Sequence, residues 1–112
     1  HIRAKGLKVT VLYGAMKDKD ITAVTEILAG ITDDIFVVSL DAESRGAQVK
    51  DIVERSGEAV RPKLRYFEND EKTILAALGC AGDKGHKLLV TGSFHTIEKF
   101  VRSGIGFDKV IR

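Results

Sequence analysis

The stretch VLYGAMKDKDITAVTEIL, Val11 to Leu28, passes from one type of secondary structure to another. An apolar run of strand length stops at Gly14, a charged loop follows, and apolar residues then return at helical spacing. A buried strand that ends in a small-residue loop and leads into a helix is typical of open α/β sheets, which place ligands at that end of the strand. The stretch therefore predicts a fold class and the edge of the sheet where a site should lie.

The rest of the chain repeats this alternation. Apolar runs of strand length recur at 7–13, 35–40, 63–68, 87–92 and 107–112. Between these runs, apolar residues recur every three or four positions, as in amphipathic helices. The order β-α-β-α-β-α-β-α-β predicts a three-layer fold, a mostly parallel sheet with helices on both faces. No repeat, low-complexity tract or linker interrupts the pattern, so we expect a single domain over residues 1–112.

Polar residues and glycines mark the ends of the predicted helices. Asp20 is placed to cap the first helix, and Asn69 or Asp70 the third, because each offers a side-chain oxygen to unpaired backbone N–H groups. Helices are expected to stop at Gly30, Gly57, Gly79 and Gly104. The opening residues 1–8, HIRAKGLK, look like the end of a helix that runs into the first strand. We therefore expect that an earlier strand and most of a helix are truncated, or are supplied by a partner.

Composition disfavours several classes of function. Charged residues make up 30% of the chain and the formal net charge is +2, so no broad field indicates binding to nucleic acid or to a membrane. We interpret the local basic cluster Arg61, Lys63 and Arg65 as a solvated strand edge. Cys80 is the only cysteine, and we interpret it as a small buried residue rather than a nucleophile. Without a disulfide, a signal peptide or a long apolar span, the expected location is the cytoplasm.

Two loops follow strands at the end where functional side chains gather in parallel sheets. The first, residues 14–20, offers glycine for close approach, lysines for anions, and carboxylates for a cation or an amine. The second, residues 91–96 (TGSFHT), offers hydroxyls and backbone donors at a helix N-terminus, which suit a carboxylate or a phosphate. Each loop also has a purely structural interpretation, as a polar turn capped by Asp20 and as an ordinary Ser or Thr cap. Both interpretations stay open.

Other kinds of chemistry are disfavoured. The stretch GDKGHK at 82–87 precedes a strand and lacks the spacing of a phosphate loop, and no G-x-G-x-x-G follows the first strand. The histidines, His1, His86 and His95, lack the spacing of a zinc site, so no metal site is predicted. His95 lies near Ser93 without an identifiable third group, which disfavours a hydrolase triad.

Three separated motifs together resemble one known family, the C-terminal domain of folylpolyglutamate and dihydrofolate synthases within the Mur ligase superfamily. The motifs are GAMKDKDI at 14–21, LDAESRGAQVKDIVERSG at 40–57 and LLVTGSFHTIEKF at 88–100. Their order and spacing agree with the family from about Lys8 to Val101, which covers nearly the whole chain. The resemblance implies the Rossmann-like fold of that domain.

The same resemblance implies an ATP-dependent amide ligase of folate metabolism. The carboxylate of a folate or of dihydropteroate would be phosphorylated to an acyl phosphate, which the amino group of L-glutamate then attacks. ATP and Mg²⁺ would bind mainly to a central domain elsewhere in the same chain, over which this domain closes. No metal ligand is implied within the chain itself.

The resemblance also implies roles for residues of the two loops. It places the glutamate at Ser93, Thr91, Gly92 and His95. The first loop would face the cleft between the domains, where the cofactor would meet Gly14 and Lys17. The candidates for a catalytic role in that loop are Asp18, Lys19 and Asp20.

The sequence also departs from the family. It lacks the Asp-Gly-Ala-His-Asn-like segment with which that domain normally opens, and it lacks the ATP-binding part, so we expect no ligase turnover from the 112-residue chain alone. Two alternatives stay open. One is a stand-alone α/β binding or interaction module that keeps the fold without catalysis, and the other is the C-terminal domain of a Mur ligase of cell-wall precursors. The run GSFHT at 92–96 favours the folate branch over the cell-wall branch.

Overall fold

The computed structural model describes residues 8–40, 44–103 and 110–111, and within them it contains a five-stranded parallel sheet. The strands are β1 (Val9–Tyr13), β2 (Ile35–Val37), β3 (Leu64–Arg65), β4 (Lys87–Thr91) and β5 (Val110–Ile111). The helices are α1 (Ile21–Ala29), α2 (Val49–Arg55), α3 (Asp70–Lys84) and α4 (Phe94–Ser103), with a 3₁₀ turn at Arg61–Lys63. The predicted alternation of strands and helices is therefore confirmed.

The order of the strands across the sheet is β3-β2-β1-β4-β5. The chain moves outward from β1 to β3 and then crosses back to β4 on the other side of β1. In open α/β sheets such a reversal creates a crevice beyond the carboxyl ends of the two strands that flank it. Tyr13 is in register with Thr91, so the loops that follow β1 and β4 begin side by side.

Alternate residues of the strands build two cores, one on each face of the sheet. Every residue of β1 is buried, as expected for a central parallel strand. One core joins the odd-numbered residues of β1 to α1 and α2 through Ile21, Leu28 and Ile52. The other joins Leu12 to α3 and α4 through Ile74, Ala77 and Phe100. The predicted three-layer arrangement, with helices on both faces, is confirmed.

Two of the predicted helix caps are present. The carboxylate of Asp20 accepts the Ala23 N–H at 3.1 Å and begins α1, and Gly30 ends this helix. The side chain of Asn69 accepts the Lys72 N–H at 2.8 Å and begins α3. Asp70, the other candidate for the third cap, is instead the first residue of that helix.

The predicted helix ends at two other glycines need correction. Gly79 lies inside α3, which ends at Gly85 in the left-handed conformation with φ 67°. Gly79 is exposed and no atom lies within 4 Å of where its Cβ would be, so the helix tolerates it. Ser56 rather than Gly57 caps the end of α2. The prediction at Gly104 and the predicted truncation before β1 lie outside the described residues.

Two strands are shorter than the apolar runs at 35–40 and 63–68 predict. β2 ends at Val37; the Val38 N–H still donates to Tyr13 O of β1 at 2.9 Å, but the Leu40 N–H donates to Ala47 O at 3.0 Å instead. Only Leu64 and Arg65 form β3, an edge strand among the described residues. The following residues Tyr66 and Phe67 are exposed.

The basic cluster has a different structural role from the one predicted. Arg65 lies on an edge strand as expected, but Arg61 and Lys63 lie in the 3₁₀ turn. Arg61 Nε donates to the carbonyl of Val53 at 3.1 Å, and Lys63 Nζ donates to the carbonyl of Ala29 at 2.8 Å. These cations therefore satisfy the carbonyl ends of α2 and α1, where the helix dipole favours positive charge.

Cys80 is half-buried in α3 and packs against the core that contains Leu12. Within the described ranges, none of the helices combines the length and the apolar character needed to cross a bilayer.

Candidate functional site

The loops that follow β1 and β4 touch each other at the carboxyl edge of the sheet. The Gly14 N–H donates to Thr91 O at 3.4 Å, and the hydroxyl of Thr96 donates to Gly14 O at 2.8 Å. Thr96 is fully buried in the first turn of α4, so its bond ties the start of that helix to the end of β1. The structure therefore brings together the two loops that the sequence singles out.

The closeness of these loops requires glycine at position 92. Its φ is 113°, a backbone conformation that other residues rarely adopt. A Cβ atom there would lie 1.9 Å from the carbonyl oxygen of Gly14 and 2.9 Å from the ring of Tyr13. Gly14 is less constrained, since its Cβ would lie 3.0 Å from the Thr96 hydroxyl. Gly92 thus has a packing role in addition to any contact with a ligand.

Ser93 and His95 stand at the start of α4, where backbone N–H groups lack intrahelical acceptors. Ser93 Oγ lies 3.4 Å from the Thr96 N–H, a long and weak cap bond. The hydroxyl of Ser93 therefore keeps the capacity to bind a ligand. His95 Nδ1 lies 3.8 Å from Glu98 Oε1. Thr91, Ser93 and His95 are all partly exposed, as residues of a binding site must be.

The backbone of the first loop is held from the side of β2 and α2. The guanidinium of Arg55 donates to Lys17 O at 2.7 Å and to Lys19 O at 2.8 Å. The Lys17 N–H donates to Arg45 O at 2.7 Å. Because an arginine fork supplies two donors in a fixed geometry, Arg55 fixes the path of this loop. No pattern in the sequence singles Arg55 out.

The side chains of the same loop point to solvent. Lys17, Asp18, Lys19 and Asp20 are all exposed. Asp18 forms an exposed ion pair with Arg45 at 3.9 Å, which contributes little to stability. Asp20 caps α1, so the structural interpretation of this residue holds whether or not it also takes part in chemistry. The contacts of residues 17–20 therefore lie toward Arg45, α1 and Arg55 of α2, whereas Gly14 contacts the second loop.

The Arg-Gly-Ala of the middle motif forms the third segment of this edge. The Ala47 N–H donates to Ala15 O at 2.8 Å, and Gly46 pairs with Met16 as an isolated antiparallel bridge. A Cβ at Gly46 would lie 1.7 Å from Leu40 O, so only glycine fits. This glycine lets residues 45–47 pair with the first loop.

Tyr13 lies directly beneath the two loops. Its side chain is almost fully buried, and burial is the main reason that its pKa is raised to about 12. The carboxylate of Asp20 raises the pKa further, while Arg55 opposes the shift. The phenol is therefore neutral at physiological pH and packs in the core with Ile21 and Ile52.

The fit of the edge to a nucleotide or a metal differs between residues. Gly14 and Lys17 are the residues predicted to meet the cofactor. The N–H and the carbonyl of Gly14 are already bonded to Thr91 and Thr96. Lys17 is therefore the residue of this pair that has a group to offer a phosphate. In the part of the chain that the structure describes, no three His, Cys, Asp or Glu side chains are grouped to hold a metal ion.

A charged cavity lies at the opposite, amino edge of the sheet. Its volume is about 460 Å³, and its charged lining residues are Lys8, Asp33, Asp34, Lys63 and Lys84. The buried carboxylate of Asp34 meets Lys84 at 2.5 Å, and this hydrogen bond is the main reason that the pKa of Lys84 is raised. In parallel sheets this edge is not the one that binds ligands.

Comparison with known proteins finds similarity in fold but none at the level of family models or curated sequences. No family model and no curated protein matches this chain. Solved structures do match. The folylpolyglutamate synthase of Mycobacterium tuberculosis, crystallised with ADP and AMPPCP, superposes with a TM-score of 0.70 and 21% identity over 88% of this chain. The bifunctional folylpolyglutamate synthase/dihydrofolate synthase of Yersinia pestis, complexed with AMPPNP and a Mn ion, superposes with a TM-score of 0.64 and 23% identity over 90% of this chain.

The chain shares its fold with part of these synthases. The Rossmann-like α/β fold that the resemblance implies is thereby confirmed. The chain spans 24% of the length of the first synthase and 23% of the second, about a quarter in each case. At these identities the likeness concerns the fold.

Proposed function

We propose that this chain is the C-terminal, glutamate-side domain of an ATP-dependent amide ligase, which adds L-glutamate to a folate or to dihydropteroate through an acyl phosphate. The proposal is supported by the fold that this chain shares with about a quarter of the length of two folylpolyglutamate synthases. The observation that carries it is the bond from the Thr96 hydroxyl to Gly14 O at 2.8 Å. This bond joins, at one edge of the sheet, two motifs that the resemblance identifies separately.

The second loop binds a carboxylate of the incoming glutamate in this proposal. Ser93 Oγ donates a charge-assisted hydrogen bond, and the N-terminal backbone of α4 adds donors and a favourable dipole. Thr91, Gly92 and His95 shape the same pocket. Glycine at position 92 keeps this loop against β1, which sets the distance of Ser93 from the first loop.

The first loop faces the acyl acceptor and the phosphates. Lys17 offers its ammonium to a phosphate, while Asp18 and Lys19 orient the reacting groups, and Asp20 adds its charge from the start of α1. When bound, ATP supplies the phosphoryl group that activates the acceptor carboxylate, and Mg²⁺ neutralises the charge of the ATP phosphates. Both bind mainly to the central domain of the same longer chain, which is the partner of this edge. We place the protein in the cytoplasm.

The proposal is tested with the longer protein that carries this chain. We expect ATP-dependent incorporation of glutamate into a reduced folate or into dihydropteroate, and none from the 112-residue chain alone. Ser93→Ala should raise the KM for glutamate roughly tenfold or more, because a charge-assisted bond is lost, and should leave the KM for ATP nearly unchanged. Ser103→Ala, at the far end of α4, is the matched control.

The outcomes separate the alternatives. Coupling of other amino acids to cell-wall precursors would favour the cell-wall branch. Binding of glutamate without turnover in the longer protein would favour a module without catalysis. An unchanged KM for glutamate in Ser93→Ala would remove this residue from the site and leave the ligase assignment in place.

A further inference from the structure

Three helices converge on one residue, Ser39, just beyond the carboxyl end of β2. Its N–H donates to Asp70 Oδ1 at 3.1 Å, and its carbonyl accepts Lys99 Nζ at 2.6 Å. Its hydroxyl accepts the Val49 N–H at 2.9 Å. Asp70 and Val49 are the first residues of α3 and α2, and Lys99 lies in α4. We call these four residues the Ser39 junction.

An ion pair between Lys99 and Asp70 closes the junction. The side chains are only 28% and 25% exposed, so water screens this pair less than the exposed pairs of the surface. The carboxylate also lies at the N-terminus of α3, where the helix dipole favours negative charge. Lysine suits the position because its ammonium carries three donors and reaches two acceptors at once.

The junction connects to the first loop through the backbone. Leu40, the next residue, donates its N–H to Ala47 O at 3.0 Å, and the Ala47 N–H donates to Ala15 O at 2.8 Å. The same helix that carries Lys99 also bonds Gly14 directly, through Thr96. Helix α4 therefore holds the loop after β1 by two routes, one direct and one through the residues that follow β2.

We propose that Lys99 is a positioning residue that couples the second loop, at the start of α4, to the first loop, which follows β1. This inference rests on the proposed function for its consequence in catalysis, but the coupling itself concerns only the fold. If glutamate orders the start of α4, the junction transmits that order to the residues that follow β2, and through Ala47 to the first loop.

The coupling is tested by amide exchange of the 112-residue chain, followed residue by residue by NMR. Lys99→Met should accelerate exchange of the Ser39 and Ala47 amides at least about tenfold relative to the core amide of Val11. Lys99→Arg should restore most of the protection. Lys72→Met, which removes an exposed ion-paired lysine of α3, should leave both amides unchanged. Equal acceleration of Val11 would indicate general destabilisation and overturn the inference, as would an unchanged Ala47.

The consequence for catalysis is tested in the longer enzyme by steady-state kinetics, independently of the amide exchange measurements. Lys99→Met should raise the KM for glutamate more than Lys72→Met does, with recovery in Lys99→Arg and little change in the KM for ATP. An unchanged KM in an enzyme that ligates glutamate would overturn the positioning role. If the wild-type protein incorporates no glutamate but the exchange results hold, the proposed function fails and the coupling of the two loops stands.

Discussion

The two edges of the sheet both carry charged side chains but hold them in different ways. At the amino edge, Asp34 is buried and meets Lys84 at 2.5 Å and Arg65 at 3.6 Å. At the carboxyl edge, the side chains of residues 17–19 are exposed, while Arg55 binds the carbonyls beneath them. Charges at the first edge are used by the fold. At the second edge Asp70 and Lys99 also pair within the fold, at the Ser39 junction, but the charges of the first loop are offered to solvent on a fixed backbone, which is the arrangement that a binding site requires.

The same contrast distinguishes the glycines. Gly92 and Gly46, at the carboxyl edge, have no room for a side chain, because a Cβ would lie within 1.9 Å and 1.7 Å of a carbonyl oxygen. Gly79 and Gly82, in α3, have nothing within 4 Å. Close approach of the backbone is therefore concentrated at the carboxyl edge, where the second loop meets Gly14 and residue 46 meets Leu40.

The largest expected effect is that of Gly92→Ala. The new methyl group would overlap Gly14 O at 1.9 Å, and the residue would be held at a φ of 113°. We expect a loss of about 3 kcal/mol or more in the free energy of unfolding, measured by urea denaturation.

Gly79→Ala is the matched control for this substitution. It introduces the same methyl group at an exposed helical position, so it should raise stability by about 0.5–1 kcal/mol. Equal effects of the two substitutions would show that the loops are not packed as closely as the structure has them.

The next effect concerns Tyr13, which lies under the carboxyl edge. Its folded pKa of about 12 exceeds the unfolded value of 10.0, so the unfolded state loses the phenolic proton first as the pH rises. This group therefore stabilises the fold fully below pH 10, and its contribution of roughly 2–3 kcal/mol is lost between pH 10 and 12. Alkaline titration of the phenol absorbance in Tyr66→Phe, where Tyr13 is the remaining tyrosine, checks the pKa.

The comparison with Tyr13→Phe isolates this contribution from the deprotonation of lysines. That variant should lose less stability than the wild type over the same range of pH. A phenol that titrates near pH 10 in a chain that circular dichroism shows to be folded would mean that Tyr13 is solvated, and that the exposed loop above it does not cover the core.

A smaller effect distinguishes the carboxylates of the two edges. Asp34→Asn removes a buried charge that serves Lys84 and Arg65, so we expect a loss of about 1–3 kcal/mol in unfolding free energy at pH 7. Asp18→Asn removes an exposed charge 3.9 Å from Arg45 and should change stability by less than about 0.5 kcal/mol. Equal losses would mean that the first loop also uses its charges for the fold.

The sequence predicts the parts of this structure that depend on local pattern. The order of elements follows from apolar periodicity, and the caps at Asp20 and Asn69 follow from side chains that bond their own helix. The meeting of the two candidate loops is predictable because both follow strands of a parallel sheet. The resemblance adds their identity, since the motifs near Gly14 and Ser93 are recognisable in the sequence.

What the sequence does not predict depends on contacts between distant positions. Lys99 and Ser39 are 60 positions apart, and Arg55 reaches Lys17 over 38 positions. Bonds from a side chain to a backbone carbonyl leave no periodic signal, because any residue supplies the carbonyl. The helix end at Gly79 is a wrong prediction for a different reason: glycine occurs both inside α3 and at its end, and only the left-handed backbone at Gly85 marks the end.

Arg55 fixes the loop without burying its own side chain, so its removal should have a small effect on stability and a local effect on the loop. Arg55→Ala should change the unfolding free energy by less than about 1 kcal/mol, because the bonds at Lys17 and Lys19 are exposed. Trypsin should nevertheless cleave after these two lysines several-fold faster, since cleavage of a folded protein follows local opening.

Arg55→Lys should give little recovery, because one ammonium does not reproduce the two-donor fork on both carbonyls. Arg102→Ala, which removes an exposed arginine of α4, should leave cleavage at the loop unchanged. If cleavage after Lys17 and Lys19 is equally fast in the wild type and in Arg55→Ala, the loop is not held in one conformation. The carboxyl edge would then offer its charges on a mobile backbone, and the difference between the two edges would be one of exposure alone.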